Sequence, residues 1–241
     1  MRIEVLYLDK WIAVINKSEG LLSVPFSGSK TPTAQGILEN IMRKRGIAGK
    51  NHRPYAVHRL DRDTSGVMMF ALTYQSQQVI MNSWHKMVTG RIYRALCEKN
   101  PAMNVLGLTL GEQGVIDAPL AKNAYNIGFV PRPGAADKKG RIFKTEPART
   151  HYRRIAENSR FVLFELSLDT GKKNQIRAHL SAAGFPLLGD ESHRARQNPF
   201  GRLCLHARTL EFNHPFTSEH LKFEVPESDE WEAFAKKSNS V

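Results

Sequence analysis

The residues best equipped for chemistry crowd into one short segment of the chain. His58-Arg59-Leu60-Asp61-Arg62-Asp63-Thr64-Ser65-Gly66 brings three side chains that can carry positive charge, two carboxylates and two hydroxyls directly before the apolar run 67–72. A carboxylate beside guanidinium groups is kept ionised, because an adjacent cation lowers its pKa. In that form it can serve as a nucleophile or a base. The spacing alone equally describes a polar turn with a surface ion pair. No GxGxxG or GxxxxGK[ST] run offers a phosphate cradle. No HExxH, no GxSxG and no Cys/His cluster at metal-ligand spacing occurs either. The nine histidines read as core or surface residues rather than ligands. The expected chemistry therefore needs no metal and no dissociable cofactor.

The balance of charge points to the partner. Lys and Arg number 35 against 23 Asp and Glu, a formal net charge of +12. So basic a folded chain faces a polyanion, and nucleic acid is the common one. At 241 residues, 41% hydrophobic and 24% charged, the composition excludes disordered, collagen-like and coiled-coil classes. No apolar run approaches the ~18 residues of a membrane span, and Arg2 and Glu4 interrupt the first apolar stretch, so neither a membrane anchor nor a secretory signal is expected. Two distant cysteines, Cys97 and Cys204, suit a reducing cytoplasm better than a disulfide framework.

The elements that must position these residues follow from periodicity and caps. Residues 3–8 and 11–15 predict a hairpin turning at Asp9-Lys10. Thr31 is placed as the cap of a helix with Pro32 at its first position, Ile37, Leu38, Ile41 and Met42 on one face, and Gly46 at its end. Residues 66–72 predict a buried strand. Thr73 caps a second helix through Ile80, Trp84 and Val88. Strands are expected at 91–98, 161–168 and 203–212, a short helix over 174–183 closed by Gly184, and a terminal helix over 230–236. Residues 131–144, with two prolines, two glycines and five basic residues, read as an exposed, flexible loop. Strands outnumber helices without a βαβ rhythm, which predicts an α+β fold with a mixed, largely antiparallel sheet and flanking helices.

The first segment also resembles something specific. His58-Arg59-Leu60-Asp61-Arg62 with Thr64-Ser65-Gly66 matches the HRLDxxTSG signature of the RluA family of pseudouridine synthases. Gly20-Leu21-Leu22-Ser23-Val24-Pro25 is similar to that family's N-terminal motif, and Arg91-Ile92-Tyr93-Arg94-Ala95 to its basic-x-Tyr-x-Ala strand. Residues 170–180, from Thr170-Gly171-Lys172 through Gln175-Ile176-Arg177-Ala178-His179-Leu180, resemble its TGRxHQIRxHL segment. Phe185-Pro186-Leu187-Leu188-Gly189-Asp190 and Leu203-Cys204-Leu205-His206-Ala207 follow in the same order. With six motifs in order, the resemblance spans about residues 3–226.

That resemblance implies isomerisation of uridine to pseudouridine within RNA, on a single catalytic domain spanning 1–241 with a central basic cleft. It implies Asp61 as the catalytic carboxylate, Tyr93 stacked on the flipped uracil, and Arg177 paired with Asp61. Arg59 would enter the RNA stack where the uridine left, since a planar guanidinium can stack and hydrogen-bond there. His58, Arg62, Lys172, Lys173 and Asn174 are expected at the RNA as well. The chain departs from the family's pattern at Lys172, where arginine is usual, at Asn174, where histidine is usual, and at Ser18, where proline follows lysine. The chain resembles the compact branch without an added N-terminal RNA-binding domain, expected to act as a monomer on stem-loops of tRNA or ribosomal RNA. A non-catalytic RNA binder is the rival, but it would have no need of Asp61, Tyr93 and Arg177 together. A DNA-binding regulator lacks any helix-turn-helix signal.

Overall fold

The computed structural model describes residues 3–26, 31–132, 134–137 and 139–237. In chain order these form β1 (Ile3–Leu8), β2 (Ile12–Lys17), α1 (Ala34–Lys44), β3 (Tyr55–Ala56), β4 (Ser65–Ala71), α2 (Tyr74–Met87) and β5 (Val88–Glu98). They continue as β6 (Gln113–Asp117), β7 (Ala121–Lys122), β8 (Gly128–Phe129), β9 (Arg149–Glu157), β10 (Phe161–Leu168), α3 (Gln175–Ala182), β11 (Leu205–Asn213), β12 (His220–Glu224) and α4 (Asp229–Lys236). Two compact units result: Met1–Ile92 with His206–Glu227, and Tyr93–Leu205 with Ser228–Val241. No helix among the described residues is long and apolar enough to cross a membrane.

In the first unit β1 and β2 make the expected hairpin. Its turn is closed by the Asp9 carboxylate, which accepts from the backbone N–H of Trp11 and of Ile12 at 2.7 Å each. Ile12, Ala13, Val14 and Ile15 are fully buried because β2 is paired on both sides, with β1 and with β4, both antiparallel. The other edge of β4 pairs β11 in parallel, at His206↔Ser65 and Ala207↔Gly66. Only glycine fits there: a Cβ on Gly66 would stand 2.1 Å from the Ala207 carbonyl oxygen, and its φ is +114°. Ile80 and Met87 of α2 pack on Val67, Met69, Leu210 and Phe212.

Helix α1 starts later than expected. Its cap is Thr33, not Thr31: the Thr33 hydroxyl accepts from Gly36 N–H at 3.1 Å. The cause is a tertiary tie. The N–H groups of Ala34 and Gln35 donate to the carbonyls of Leu22 and Ser23, so residue 33 runs extended beside residue 22 before the helix can begin. Thr73 caps α2 as expected, accepting from Ser76 N–H at 3.0 Å.

In the second unit β10 is buried on both faces. Val162, Phe164 and Leu166 meet Ile176 and Leu180 of α3. Phe161 and Leu163 meet Trp231 and Ala235 of α4. β9 pairs β10 and β6, both antiparallel, and neither β9 nor β6 is among the strands expected from sequence. The loop 131–144 is largely exposed, and Asp137 organises it by accepting from the N–H groups of Lys139 and Arg141. Lys138, one of its basic residues, lies outside the described residues.

The architecture is α+β with a mixed, mostly antiparallel sheet, as the pattern of strands and helices predicts.

Candidate functional site

The loop carrying Asp61 is fastened by its backbone. Lys17, at the end of β2, is fully buried, and its ammonium donates to the carbonyls of Ser18, Leu21 and Arg62 at 2.9, 2.8 and 2.9 Å. Three acceptors match the three N–H donors of an ammonium. Ser23 then grips Leu60 from both ends of its peptide: the hydroxyl donates to Leu60 carbonyl at 2.7 Å and accepts from Leu60 N–H at 3.1 Å. Thr64 N–H donates to Asp61 carbonyl at 3.2 Å and closes the turn. Between these anchors Asp61 is half-buried, and Arg59 and Arg62 are exposed. Arg62 pairs with neighbouring Asp63 at 3.0 Å in solvent.

A histidine holds each flank of the loop, His58 onto β4 and His206 from β11. His58 Nε2 accepts from Met69 N–H at 2.9 Å, and its ring lies 4.8 Å from that of Trp84. Burial, helped by the positive charge of Arg91, pushes its pKa down to about 3, so the ring is neutral at physiological pH. His58 therefore serves the fold through its acceptor nitrogen. On the other flank His206 Nε2 faces the Val225 carbonyl at 2.8 Å and must donate to it. Its Nδ1 then accepts from the Ser65 hydroxyl at 2.7 Å. Sequence reasoning missed Lys17, Ser23 and His206 as the fasteners of this loop.

Tyr93, Lys172, Lys173, Asn174 and Arg177 belong to the second unit, whereas Asp61 belongs to the first. Tyr93 lies on β5 and packs, half-buried, against the core beneath α3. Arg177 projects from α3 onto Asp190: Nε and one terminal nitrogen each lie 2.7 Å from a different carboxylate oxygen. The same guanidinium reaches the Ser192 hydroxyl. Burial pushes the Asp190 carboxyl up, but the hydrogen bonds from Arg177 and His193 outweigh it and hold the group well below the usual carboxylate range. His193 Nε2 in turn donates to Gly128 carbonyl at 2.8 Å. Asp190 is thus the partner that fixes Arg177 within its own unit.

The remaining residues of 170–180 lock α3 to its surroundings. Gln175 donates to Arg149 carbonyl and to the Thr150 hydroxyl, and accepts from the Thr170 hydroxyl and Lys172 N–H. His179 Nε2 donates to Ala118 carbonyl, which leaves Nδ1 to accept from Thr150 at 2.9 Å. Asn174 stands before the helix with a left-handed φ of 56°, and its side-chain oxygen accepts from Gly128 N–H at 3.2 Å. Lys172 pairs with Glu146 at 2.7 Å, and Lys173 is exposed.

The family described as RNA pseudouridylate synthase matches residues 12–182. The chain belongs to that family. It is 33% identical over 94% of its length to a Bacillus subtilis protein described as an uncharacterized RNA pseudouridine synthase, covering 69% of that protein. It is 30% identical over 92% of its length to a ribosomal large subunit pseudouridine synthase D of Zymomonas mobilis, covering 68% of that one. A solved structure, human RNA pseudouridylate synthase domain containing 4, shares the fold, with a TM-score of 0.70 at 22% identity over 94% of this chain and 89% of that one. The pseudouridine synthase described here is therefore an isomerase acting on RNA.

Proposed function

We propose that this pseudouridine synthase modifies a uridine in a structured stem-loop, with Asp61 as the catalytic carboxylate and Arg59 filling the stack that the flipped base leaves. The supporting observation is the loop of residues 58–66. Its backbone is fixed by Lys17, Ser23 and His58, while Arg59 is left exposed and Asp61 half-buried. A preorganised carboxylate beside a free guanidinium is what base extrusion followed by attack requires. Tyr93 stacks on the uracil, and Arg177 is the cation proposed to pair with Asp61. The bond from the sugar to the base nitrogen breaks, the uracil turns, and its carbon 5 joins the sugar as the hydrogen on that carbon departs as a proton and the freed nitrogen takes one up.

Relatives named for the large ribosomal subunit favour ribosomal RNA, with tRNA as the other pool. Loops are the expected target, because their bases can be splayed out for recognition. The test is tritium release from RNA labelled at uracil carbon 5, run separately on ribosomal and transfer RNA in the cytoplasmic fraction. Release from either pool, lost in Asp61→Asn, supports the assignment; no release from either pool overturns the stem-loop reading.

A further inference from the structure

The second unit contains a cavity of about 650 Å³ that the reaction above does not use. Ala178 and Ala182 of α3 form one wall, and Met103, Val105, Phe129 and Val130 supply apolar surface around it. This is the size and character of a site for an organic ligand. Its polar groups are unusually free. Arg132 and Arg194 both line it and are exposed, and neither guanidinium has a hydrogen-bond or ion-pair partner among the described residues. The Asn123 side-chain oxygen is taken by the N–H groups of Tyr125 and Ile127, and its amide nitrogen has no partner there. Arg194 also holds a left-handed backbone, φ +65°, a conformation that favours glycine or asparagine. Ser192, another lining residue, hydrogen-bonds Arg177 and Asp190.

An apolar slot with two unpaired guanidiniums and a free amide suits a ligand with a flat apolar body, a polar edge and a phosphate. That ligand is a nucleotide. We propose that the cavity takes one unstacked nucleotide of the substrate RNA, a neighbour of the modified uridine, its base against Phe129 and Met103 and its phosphate on Arg194 and Arg132. The inference rests on the RNA-modifying reading above and adds a second base site to it. Guanidiniums pair phosphates in a planar fork, and bases stack on aromatic faces in a sequence-tolerant way. Ser192 ties this site to Arg177, which the proposed function assigns to the target uridine, and on that reading the captured nucleotide is close in sequence to the target.

The full chain with labelled methionine and alanine methyl groups would be titrated with AMP, CMP, GMP and UMP, and then with the RNA pool that supports tritium release. The expected result is saturable movement of the Met103, Ala178 and Ala182 signals by RNA, weakened severalfold in Arg194→Ala, which removes a phosphate contact. Abasic replacement at one position flanking the modified uridine should weaken wild-type binding by a similar factor and leave Arg194→Ala indifferent. Ala182→Phe, which fills the slot, should behave like Arg194→Ala; if it fails to fold, exposed Arg194→Ala still decides. Unmoved methyl signals, or equal sensitivity of wild type and Arg194→Ala to every abasic position, overturn the proposal. So does response to free nucleotides alone, which would make this a mononucleotide site. The methyl signals need no turnover, so an absence of tritium release would refute the stem-loop reading without touching this readout.

Discussion

The two polar segments that carry the family's motifs are built on opposite principles. Around Asp61 the protein grips the main chain: Lys17 holds three carbonyls and Ser23 holds the N–H and the carbonyl of Leu60, while Arg59 and Arg62 are exposed. Around Arg177 it grips side chains: Gln175, Arg177 and His179 each end on named partners, and Asp190 is entirely inaccessible beneath the guanidinium. A loop fastened by its backbone can spare its side chains for a substrate. A helix fastened by its side chains gives up that freedom for a fixed orientation. Substitutions should therefore separate the two: chemistry lost with little stability in the first segment, stability lost together with chemistry in the second.

The largest effect is expected at Asp61. Asp61→Asn keeps the shape of the side chain but removes the base, so single-turnover tritium release should fall by at least ~10²-fold. The thermal midpoint should barely move, as befits a change within about 0.5 kcal/mol away from the core. A large loss of stability here would erase the contrast. Asp190→Ala tests the other side. It strands Arg177 beside a buried void, and unfolding by urea should show a loss of about 3–5 kcal/mol, with turnover falling as well. Arg177→Lys should restore only part of the rate of the wild type, since a point charge cannot span both carboxylate oxygens.

Lys17→Met sharpens the comparison from below. It leaves three carbonyls without their donor, and a loss of about 3 kcal/mol in urea unfolding is expected. Turnover should drop although Lys17 makes no proposed contact with RNA; retention of wild-type turnover would show that the backbone clamp does not position Asp61. The smallest effect is a pH dependence. His58 titrates near its ordinary value of 6.5 when unfolded and at about 3 when folded, so the unfolded chain binds the extra proton between those values. Its contribution is present in full above pH ~6.5 and is lost as pH falls toward ~3, with a slope of up to about 1.4 kcal/mol per pH unit. Melts across that window should show His58→Gln with a shallower decline than the wild type.

The sequence discloses these elements unevenly, for physical reasons. β10 is legible to the residue because Val162, Phe164, Leu166 and Leu168 alternate, with Glu165 and Ser167 among the positions between them. β9 escapes notice because its outward positions hold His151, Arg153 and Arg149, which pair with Asp169, Glu165 and Asp117 on other segments. Its register with β10 also shifts between Leu163 and Phe164, breaking the alternation that reveals a strand. The start of α1 is misread because a cap is a local signal, whereas the tie to Leu22 and Ser23 is not. The candidate site shows the same division. The motif around Asp61 stands out by its residue types. Its fasteners Lys17, Ser23 and His206 lie 45, 37 and 141 residues from the atoms they hold, and no spacing rule reaches that far.

The parallel pairing of β4 with β11 sets an order of events during synthesis. The β1–β2 hairpin and its partner β4 can assemble as soon as they leave the ribosome, but the free edge of β4 must wait for His206 and Ala207. Everything from Tyr93 to Leu205 is translated in between. At ~5–20 residues per second that interval lasts on the order of ten seconds. During it the start of β4, with Gly66 bared, offers an unpaired edge to any neighbour, because β3 pairs only Phe70 and Ala71 of that strand. The nascent chain is most exposed to misassociation over that interval, and it is then that a chaperone would have the most to cover.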